Sequence, residues 1–540
     1  MTSKAGSAPL LDAQPAPRPR SATIWWPALT GVVAGALTIA VAELIAALLV
    51  RTGHTHGTPS PVVALGQAFI DRTPPWLKDF AVSTFGTHDK TALLTSIAVV
   101  VTVVAAVAGI VAARNRLIGL LVVVTMAAVA GLAVLSRPKA SGTDLLPLIV
   151  GTVVGLFTLS YLTDQWTRTQ LAVSNPTPSE QLDASLGRRA FLRGLVGAGG
   201  AAVLAAVGSQ VIAHASRAVQ ASRAALRLPA PTGPTPTPAE LASLEVSGIS
   251  PMVTPPDDFY RIDTALSVPQ LSTQDWKLRV HGMVANEIEL SFADLLALPM
   301  IERMTTLTCV SNEVGGELIG NQVWLGHPIR ELLARAVPSA DADMVLSTSI
   351  DGFTAGTPLD ALTDDNRDAL LAIAMSGQPL PVEHGFPVRM VVPGLYGYVS
   401  ATKWVVDLEV TRFDRDEGYW TPRGWSPMGP IKTGSRIDVP RGGRVDPGKV
   451  AVAGIAWAQH RGIDKVEVRV DEGAWQPARL GEGGTKDSWK QWVFEWDATK
   501  GEHTLQVRAT DGQDDVQTGQ QATPAPNGAT GWDTVTVTVN

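Results

Sequence analysis

Long apolar runs fill most of the first 215 residues of this 540-residue chain, and they constrain its fold more than any other feature. A helix needs roughly 20 apolar residues to cross the core of a bilayer. Four strongly apolar runs and a fifth run rich in Gly and Ala meet this condition: 24–50, 91–113, 117–135, 145–162 and 194–213. Residues 24–215 are therefore predicted to form a five-helix transmembrane anchor, preceded by a cytoplasmic tail over residues 1–23.

The basic residues beside these runs predict the orientation of the anchor. Cytoplasmic loops carry an excess of Lys and Arg. With the N-terminus inside, that side receives Arg18, Arg20, Arg114, Arg116 and Arg168. The other side receives Arg51, Lys90, Arg137 and Lys139, which weakens the asymmetry without reversing it. We therefore expect a multi-pass protein of the cell membrane, with everything after residue 213 outside the cytoplasm.

A pair of arginines, Arg188 and Arg189, precedes the fifth run and is followed by Phe191 and Leu192. This pattern resembles the signal of the twin-arginine system, which exports folded proteins. Such export suits a domain that takes up a cofactor inside the cell. The alternative is an ordinary positive flank of a membrane helix, and both interpretations place the rest of the chain outside.

Glu43 is the one acidic residue within the first apolar run. A carboxylate inside a membrane span is a functional hypothesis in its own right. The other runs offer no second charge that would complete a relay, so a plain anchor is the favoured interpretation. No haem held between the helices is indicated.

The chain changes character after the fifth run. Residues 216–256 include the sequence PAPTGPTPTPAE and are predicted to form an extended, semi-rigid linker. Residues 257–425 mix strand-like segments with segments expected to be helical, such as 328–336 and 359–375, and are predicted to form an α+β domain. Residues 426–540 contain short alternating strands separated by turns, which is typical of a small β-sandwich.

Charge and cysteine content exclude two classes of function. The net charge is -7 and the chain has no long basic run, so nucleic acid is not an expected partner. Cys309 is the only cysteine, which excludes an intrachain disulfide.

The stretch 305–326 contains Cys309 between the strand-like sequence TTLT and a glycine-bearing loop with Ser311 and Asn312. A thiol at the exit of a strand is accessible and can act as a nucleophile or as a soft metal ligand. A lone cysteine can equally be a small buried core residue. The stretch by itself leaves these three roles open.

Three separated motifs decide between them by resemblance. The sequences TLTCVSNEVGG and HGFPVRMVVPGLYG, together with the pair Lys403-Trp404, resemble the sulfite oxidase family of molybdopterin enzymes over residues 257–540. The resemblance implies that the α+β region binds molybdenum-molybdopterin and that residues 426–540 are an immunoglobulin-like dimerisation-type domain. It also implies that Cys309 is the metal ligand.

The same resemblance implies roles for other residues. The pterin cofactor would be held by Tyr260, Arg261, Ser311, Asn312, Asp351, His384, Arg389 and Lys403. Arg261 and Arg461 would lie near the metal and attract an anion, and Trp324 and Tyr419 would complete the catalytic set. The chain departs from the family pattern at Glu313 and Val314, where animal and plant sulfite oxidases carry arginines. Because a source of anion-binding charge is lost there, the resemblance does not fix sulfite as the substrate.

These observations predict a membrane-anchored molybdenum-molybdopterin oxidoreductase that transfers an oxygen atom to or from a small, sulfur-containing, sulfite-like substrate outside the cytoplasm. The first alternative is reduction of an S-oxide or N-oxide, for example methionine sulfoxide, by the same fold. An alternative of another class is a non-catalytic cell-surface binding module. No haem domain is evident in the sequence, so electrons are expected to pass to or from a separate cytochrome or quinone-linked partner. Membrane lipid and a second copy in a homodimer are the other expected partners.

Overall fold

The computed structural model of the protein describes residues 24–540 apart from 52–57, 75–76, 78–83, 85–88, 138–139, 175–177, 214–215 and 267. The chain divides into two compact units, Met1–His214 and Ala215–Asn540. The predicted cytoplasmic tail over residues 1–23 lies outside the described residues.

The first unit consists of helices. They are α1 (Trp25–Arg51), α2 (Pro61–Arg72), α3 (Asp89–Arg114), α4 (Arg116–Leu135), α5 (Leu146–Ser174) and α6 (Pro178–Ala213). All five predicted apolar runs lie on helices that are long and apolar enough to cross a membrane. Helix α2 was not predicted from the sequence and, with 12 residues, is too short to span a bilayer. Its N-terminus is capped by the hydroxyl of Ser60, which accepts a hydrogen bond from the amide of Val63.

Small residues let the helices of this unit approach closely. A Cβ atom at Gly31 on α1 would overlap the carbonyl oxygen of Ala105 on α3. A Cβ atom at Gly155 on α5 would overlap the hydroxyl of Thr38 on α1. Backbone contact of this kind is how membrane helices gain packing energy without a hydrophobic driving force.

The predicted linker is wrong for much of residues 216–256, which are part of the second unit. The segment begins with helix α7 (Ser216–Ala225), where Val219 is buried. Farther along, the amide of Thr232 donates to the carbonyl of Met300, and Met252 is buried in the main core. The apolar residues between the prolines reach the core, so the segment packs against the domain instead of spacing it.

Two sheets build the α+β part of the second unit. The first has the order β2-β1-β10-β5-β6, and the second has the order β3-β4-β7-β8, with β9 paired to β7. The strands are β1 (Lys277–Gly282), β2 (Ile288–Ser291), β3 (Ile301–Thr308), β4 (Ile319–Pro328), β5 (Met344–Ser349), β6 (Thr354–Pro358), β7 (Leu370–Met375), β8 (Gln378–Pro379), β9 (Arg389–Val391) and β10 (Val405–Thr411). Three short helices accompany them: α8 (Phe292–Leu296), α9 (Ile329–Ala336) and α10 (Leu359–Thr363).

The expected helix over 359–375 is wrong beyond its first turn. Helix α10 ends at Thr363, and the apolar run Leu370–Met375 is strand β7, whose residues are all buried. A continuous apolar run fits a buried strand as well as a buried helix, so its periodicity could not separate the two.

The last part of the chain is rich in β-structure, as predicted. Its strands are β11 (Gly434–Val439), β12 (Gly443–Val445), β13 (Gly448–Trp457), β14 (Ile463–Val470), β15 (Gln476–Pro477), β16 (Arg479–Leu480), β17 (Lys490–Ala498), β18 (Gly501–Asp511) and β19 (Asp533–Val539). They form the sheets β11-β13-β17-β16 and β12-β19-β18-β14-β15 around one core that includes Val452, Trp492 and Val507. The immunoglobulin-like topology of this part stays a prediction.

Hydrogen bonds from this last part fix strand β3, which leads to Cys309. Gln459 donates through Nε2 to the carbonyl of Thr306 at 3.1 Å and to the hydroxyl of Thr308 at 3.0 Å. The amide of Trp489 donates to the hydroxyl of Thr306 at 2.7 Å. The end of β3 is therefore positioned by both parts of the second unit.

Candidate active site

A cleft of about 920 Å³ opens in the α+β part of the second unit, and Cys309 lines it. Its walls come from segments far apart in the sequence: 259–264, 309–311, 349–353, 384–403 and 420–425. The cleft thus collects the end of β3, the tip of the β5–β6 hairpin, the segment around β9 and the chain ahead of β1. Seven of the predicted site residues contribute to it: Tyr260, Cys309, Ser311, Asp351, His384, Arg389 and Lys403.

The thiol of Cys309 lies directly after β3 and is 8% exposed. The Cys309 amide donates to the carbonyl of Leu318 at 2.9 Å, which holds the loop in place. Burial raises the pKa of this thiol, against the opposing effect of hydrogen bonds from Ser311. The uncharged thiol is therefore favoured until a cation is bound beside the sulfur.

Arg389, the first residue of β9, is a buried cation without an acidic partner. Its guanidinium donates to the carbonyl of His384 at 3.1 Å and, more weakly, to that of Ala401 at 3.4 Å. No carboxylate of the described residues lies within ion-pair distance of it, and burial lowers the pKa of Arg389 to about 10. A buried, unpaired guanidinium is costly, and an anionic ligand would remove that cost.

Lys403 and Arg261 share one carboxylate, that of Asp263. The ammonium of Lys403 lies 2.8 Å from Asp263 Oδ2, and Nε of Arg261 lies 3.0 Å from the same oxygen. Burial lowers the pKa of Lys403 to about 8, although Asp263 acts in the opposite direction. The Arg261 side chain is 42% exposed, so it lies at the edge of the site. Asp263 was not predicted from the sequence, because its partner Lys403 is distant in the chain.

His384 ends a short turn and is buried beside Arg389. Burial, together with the charges of Arg389 and Lys403, lowers the pKa of His384 to about 3. The neutral imidazole can therefore donate one hydrogen bond and accept another at physiological pH. Gly385, which follows it, has a φ of 110°, and a Cβ atom there would lie 2.9 Å from Cβ of Arg389. Glycine at this position thus lets His384 and Arg389 approach each other.

Two further predicted cofactor contacts lie at other walls of the cleft. Asp351 is at the tip of the β5–β6 hairpin, where its carboxylate accepts from the amide of Phe353 at 3.2 Å. Burial raises the pKa of Asp351, and hydrogen bonds from Ser349 and Phe353 oppose this. Tyr260 stacks on Phe259, and burial raises the pKa of its hydroxyl.

Asn312 does not line the cleft. Its side-chain oxygen accepts from the amide of Leu318 at 2.8 Å, so it shapes the Cys309 loop. It lines a smaller cavity on the other side of this loop, together with Glu313 and Val314. Glu313 and Val314, at which the chain departs from the family pattern, therefore line that cavity and not the cleft.

Three predicted catalytic residues also lie outside the cleft lining. Trp324 is in the core, and its ring centre lies 5.1 Å from the guanidinium carbon of Arg389. Tyr419 does not line the cleft, and its ring packs against Phe353 and Trp420, which do. Arg461 is paired with Asp511 at 2.8 Å and donates to the carbonyl of Ile431. It is not among the residues that line the cleft.

Sequence reasoning missed the aromatic side of the cleft. We call Phe353, Tyr398, Trp420 and Trp425 the aromatic wall. Trp425 lies 5.9 Å from Tyr398 and 6.3 Å from Trp420, measured between ring centres. The only available signal was the tryptophan-rich sequence YWTPRGW at 419–425.

The cleft combines a buried cation, Arg389, which suits an anionic ligand, with one thiol, that of Cys309. Comparison with known proteins supplies the class. Residues 265–420 match the family model described as the oxidoreductase molybdopterin binding domain. The uncharacterized oxidoreductase YuiH of Bacillus subtilis is 34% identical over 154 residues, which are 28% of this chain and 74% of that protein.

The mitochondrial sulfite oxidase of Homo sapiens is 29% identical over 283 residues, covering 44% of this chain and 51% of that protein. The chain therefore spans about half the length of the mammalian sulfite oxidases it matches. A solved structure, the sulfane dehydrogenase SoxCD of Paracoccus pantotrophus, matches 58% of this chain and 90% of its own, with 22% identity and a TM-score of 0.47.

The chain belongs to the family of oxidoreductases with the molybdopterin-binding domain. The expectation of an enzyme is confirmed, and the alternative of a non-catalytic binding module is not supported.

The residues present fit this cofactor. Arg389 is a buried cation that needs an anion, which a pterin phosphate provides. Among the described residues, no group of three or more His, Cys, Asp or Glu side chains is placed to hold a metal ion. A metal at Cys309 would therefore need most of its ligands from the cofactor, and a dithiolene-bearing pterin provides sulfur ligands of the soft type that match a thiolate.

Proposed function

We propose that the protein is a molybdenum-molybdopterin oxidoreductase that transfers an oxygen atom to or from a small sulfur-containing substrate outside the cytoplasm. The observation that carries this proposal is the placement of one buried thiol, Cys309, in the same cleft as the unpaired buried guanidinium of Arg389. The bound cofactor would supply the two-electron chemistry that accompanies the gain or loss of the oxygen atom.

The residues of the cleft divide into two roles. Cys309 would hold the metal through its sulfur. Arg389, Lys403 and neutral His384 would bind the pterin and its phosphate, with the Arg389 fork suited to a phosphate group. Phe353, Trp420 and Trp425 would exclude water from the opposite side and contact the substrate.

The charges of the cleft favour a second candidate reaction, reduction of an organic S-oxide or N-oxide. A small oxyanion such as sulfite needs fixed positive charge at the reacting centre. Arg261 is paired with Asp263, and Arg461 is paired with Asp511. The substrate side instead presents the aromatic wall, whose rings suit a neutral methyl-sulfur or aryl group.

Metal analysis tests the assignment of Cys309. We expect Cys309→Ala to purify with little molybdenum and no activity, because the sulfur ligand is lost. The neighbouring variant Val310→Ala removes buried apolar volume without removing a ligand and should keep its molybdenum. Unchanged molybdenum and activity in Cys309→Ala would overturn the assignment.

Steady-state kinetics of the full-length protein separates the two reactions. One assay supplies sulfite with an artificial electron acceptor, and the other supplies an aryl methyl sulfoxide with reduced viologen. Because Arg261 and Arg461 are paired with carboxylates, we expect kcat/KM to be higher for the sulfoxide than for sulfite. Turnover of sulfite alone would exclude the second candidate and leave the oxidase reaction.

The location of the enzyme is part of the proposal. Five candidate spans in the first unit would anchor it in the cell membrane, with the N-terminus in the cytoplasm. Lysine replacement of Arg188 and Arg189 tests the proposed export signal, since normal export of the second unit would refute it. Residues 426–540 would form an immunoglobulin-like domain and a homodimer contact, and a separate carrier would exchange electrons.

A further inference from the structure

The first unit contains an apolar cavity between α1, α3, α4 and α5, with α2 at one end. The cavity lies among helices that could span a membrane, and nearly all of its lining is apolar. Of the described residues that line it, only Thr38, Glu43 and Thr152 have polar side chains. A cavity with this lining fits a lipophilic ligand.

The two threonines are satisfied by their own helices. The hydroxyl of Thr38 donates to the carbonyl of Ala34 at 2.8 Å, and that of Thr152 donates to the carbonyl of Leu148 at 2.6 Å. Among the described lining residues, Glu43 is therefore the one whose side chain has a polar atom without a hydrogen bond.

The carboxyl group of Glu43 is held by one of its two oxygens. Oε1 accepts from the hydroxyl of Ser60 at 2.8 Å and from the amide of Val62 at 3.4 Å, at the start of α2. Within the described part of the chain, Oε2 has no hydrogen-bond partner and no cation pairs with Glu43. Glu43 precedes the end of α1 at Arg51 by eight residues, which is about 12 Å along the helix. A carboxyl oxygen at such a place is costly unless a donor reaches it.

We propose that this cavity binds an isoprenoid quinol, with a hydroxyl of the ring donating to Oε2 of Glu43 and with the tail along α3 and α4. A plain acyl chain would fill the cavity but leave Oε2 without a donor. The phosphate of a phospholipid or the carboxylate of a fatty acid would bring a charged head into an apolar cavity whose described lining includes no cation. A quinol combines an apolar tail, a neutral head and a hydroxyl donor.

The choice of a redox-active lipid rests on membership of an oxidoreductase family and not on the proposed oxygen-atom transfer. Binding can be measured on protein that lacks molybdenum. Failure of the quinol site and failure of the proposed reaction are therefore distinguishable.

The test uses the full-length protein in detergent and a fluorescent quinol analogue, a hydroxyquinoline N-oxide with a heptyl tail. We expect saturable quenching of its fluorescence, and displacement by decylubiquinol but not by equal concentrations of decanol or phosphatidylglycerol. Glu43→Ala should weaken binding about tenfold, because the hydrogen bond to the carboxyl group is lost. Glu43→Gln keeps an acceptor oxygen and should weaken binding less.

Two substitutions on α4 form a matched pair. Ala127 lines the cavity, whereas Ala128 is exposed on the same helix and does not line it. We expect Ala127→Phe to weaken binding at least tenfold by filling the cavity, and Ala128→Phe to bind like the wild type.

Displacement by decanol as effective as displacement by decylubiquinol would overturn the proposal, since the cavity would then select only an apolar chain. Equal affinity of the wild type, Glu43→Gln and Ala127→Phe would also overturn it. If Glu43→Ala fails to fold, as judged by gel filtration, those two variants decide the outcome.

Discussion

The guanidinium carbon of Arg389 lies 5.1 Å from the centre of the Trp324 ring, and the indole Nε1 of Trp324 donates to the carbonyl of Thr305 at 3.1 Å. Trp324 is fully buried and does not line the cleft. Trp324 therefore links the guanidinium of Arg389 on β9 to strand β3 and hence to the Cys309 loop, and we interpret it as a positioning residue.

We expect Trp324→Phe to lower the molybdopterin content of the purified protein several-fold, because the Thr305 hydrogen bond and part of the cation–π contact are lost. Trp492→Phe, at a buried tryptophan in the last part of the chain, is the matched control. Both variants should lower the melting temperature. Equal cofactor loss in both would show that Trp324 acts only through stability.

Arg389→Met should remove molybdopterin, because the proposed phosphate partner is lost. In cofactor-free protein the same variant should be as stable as the wild type, or more stable by up to about 2 kcal/mol, because an unpaired buried cation is replaced by an apolar side chain. Cofactor analysis and the melting temperature of both proteins check this. A marked loss of stability in the cofactor-free variant would contradict the cost that we assign to this cation.

The depressed pKa of His384 predicts a loss of stability in acid. Its folded pKa of about 3 lies below the usual value of 6.5. Between these values the unfolded chain binds more protons than the folded one, so the stability falls as the pH falls through this window. Melting temperatures of cofactor-free protein at about pH 5 and about pH 7.5 should therefore differ more for the wild type than for His384→Gln.

His503 is the control for this experiment. The hydrogen bond with Asp471 raises the pKa of His503, so its contribution is present at low pH and fades as the pH rises. His503→Gln removes a contribution that is present at low pH, so it should be at least as acid-sensitive as the wild type, in contrast to His384→Gln. The same acid sensitivity in His384→Gln as in the wild type would contradict the prediction.

The pairing of Arg461 with Asp511 predicts a structural role for this arginine. Asp511 is buried and keeps hydrogen bonds from Thr433, Gln513 and Asp515. Arg461→Met therefore leaves its carboxylate without a cation but not without donors, which costs about 1.5–3 kcal/mol. The double variant with Asp511→Asn should recover much of the lost melting temperature. If Arg461→Met instead raised KM for sulfite without a change in melting temperature, Arg461 would reach the substrate in the working enzyme.

The aromatic wall predicts substrate selectivity. Trp425→Ala should raise KM for an aryl methyl sulfoxide by roughly tenfold, because the loss of one aromatic contact is worth about 1–1.5 kcal/mol. It should leave the kinetics with sulfite nearly unchanged. Trp475 lies in the last part of the chain and does not line the cleft. Trp475→Ala should therefore change neither KM.

Local patterns predicted those parts of the molecule in which neighbours in sequence determine the structure. The five apolar runs and the alternating strands after residue 430 are of this kind, and Cys309 lies at a strand exit as the sequence TTLT indicates. Contacts between distant segments could not be predicted in the same way. Asp263 meets Lys403, and the residues of the aromatic wall meet each other, only because the sheets bring them together.

The wrong predictions have physical causes as well. Residues 370–375 are apolar throughout because β7 is buried on both faces, and such a run has no period from which a strand can be told from a helix. Prolines at 229–238 suggested a free linker, but apolar residues on both sides of them anchor the segment to the core. The role of Arg461 near the metal, assigned by resemblance, stays a prediction; in the structure its guanidinium pairs with the buried carboxylate of Asp511.

The hydrogen bonds that run from Gln459 and Trp489 to Thr306 and Thr308 cross the boundary between the two folding regions of the second unit. A chain cut at that boundary would retain Cys309, His384 and Arg389 but would lose the groups that hold the strand leading to the thiol. Residues 257–425 alone are therefore not expected to position Cys309 as the longer chain does. A protein truncated at residues 425–433 would lack the groups that position the proposed metal ligand.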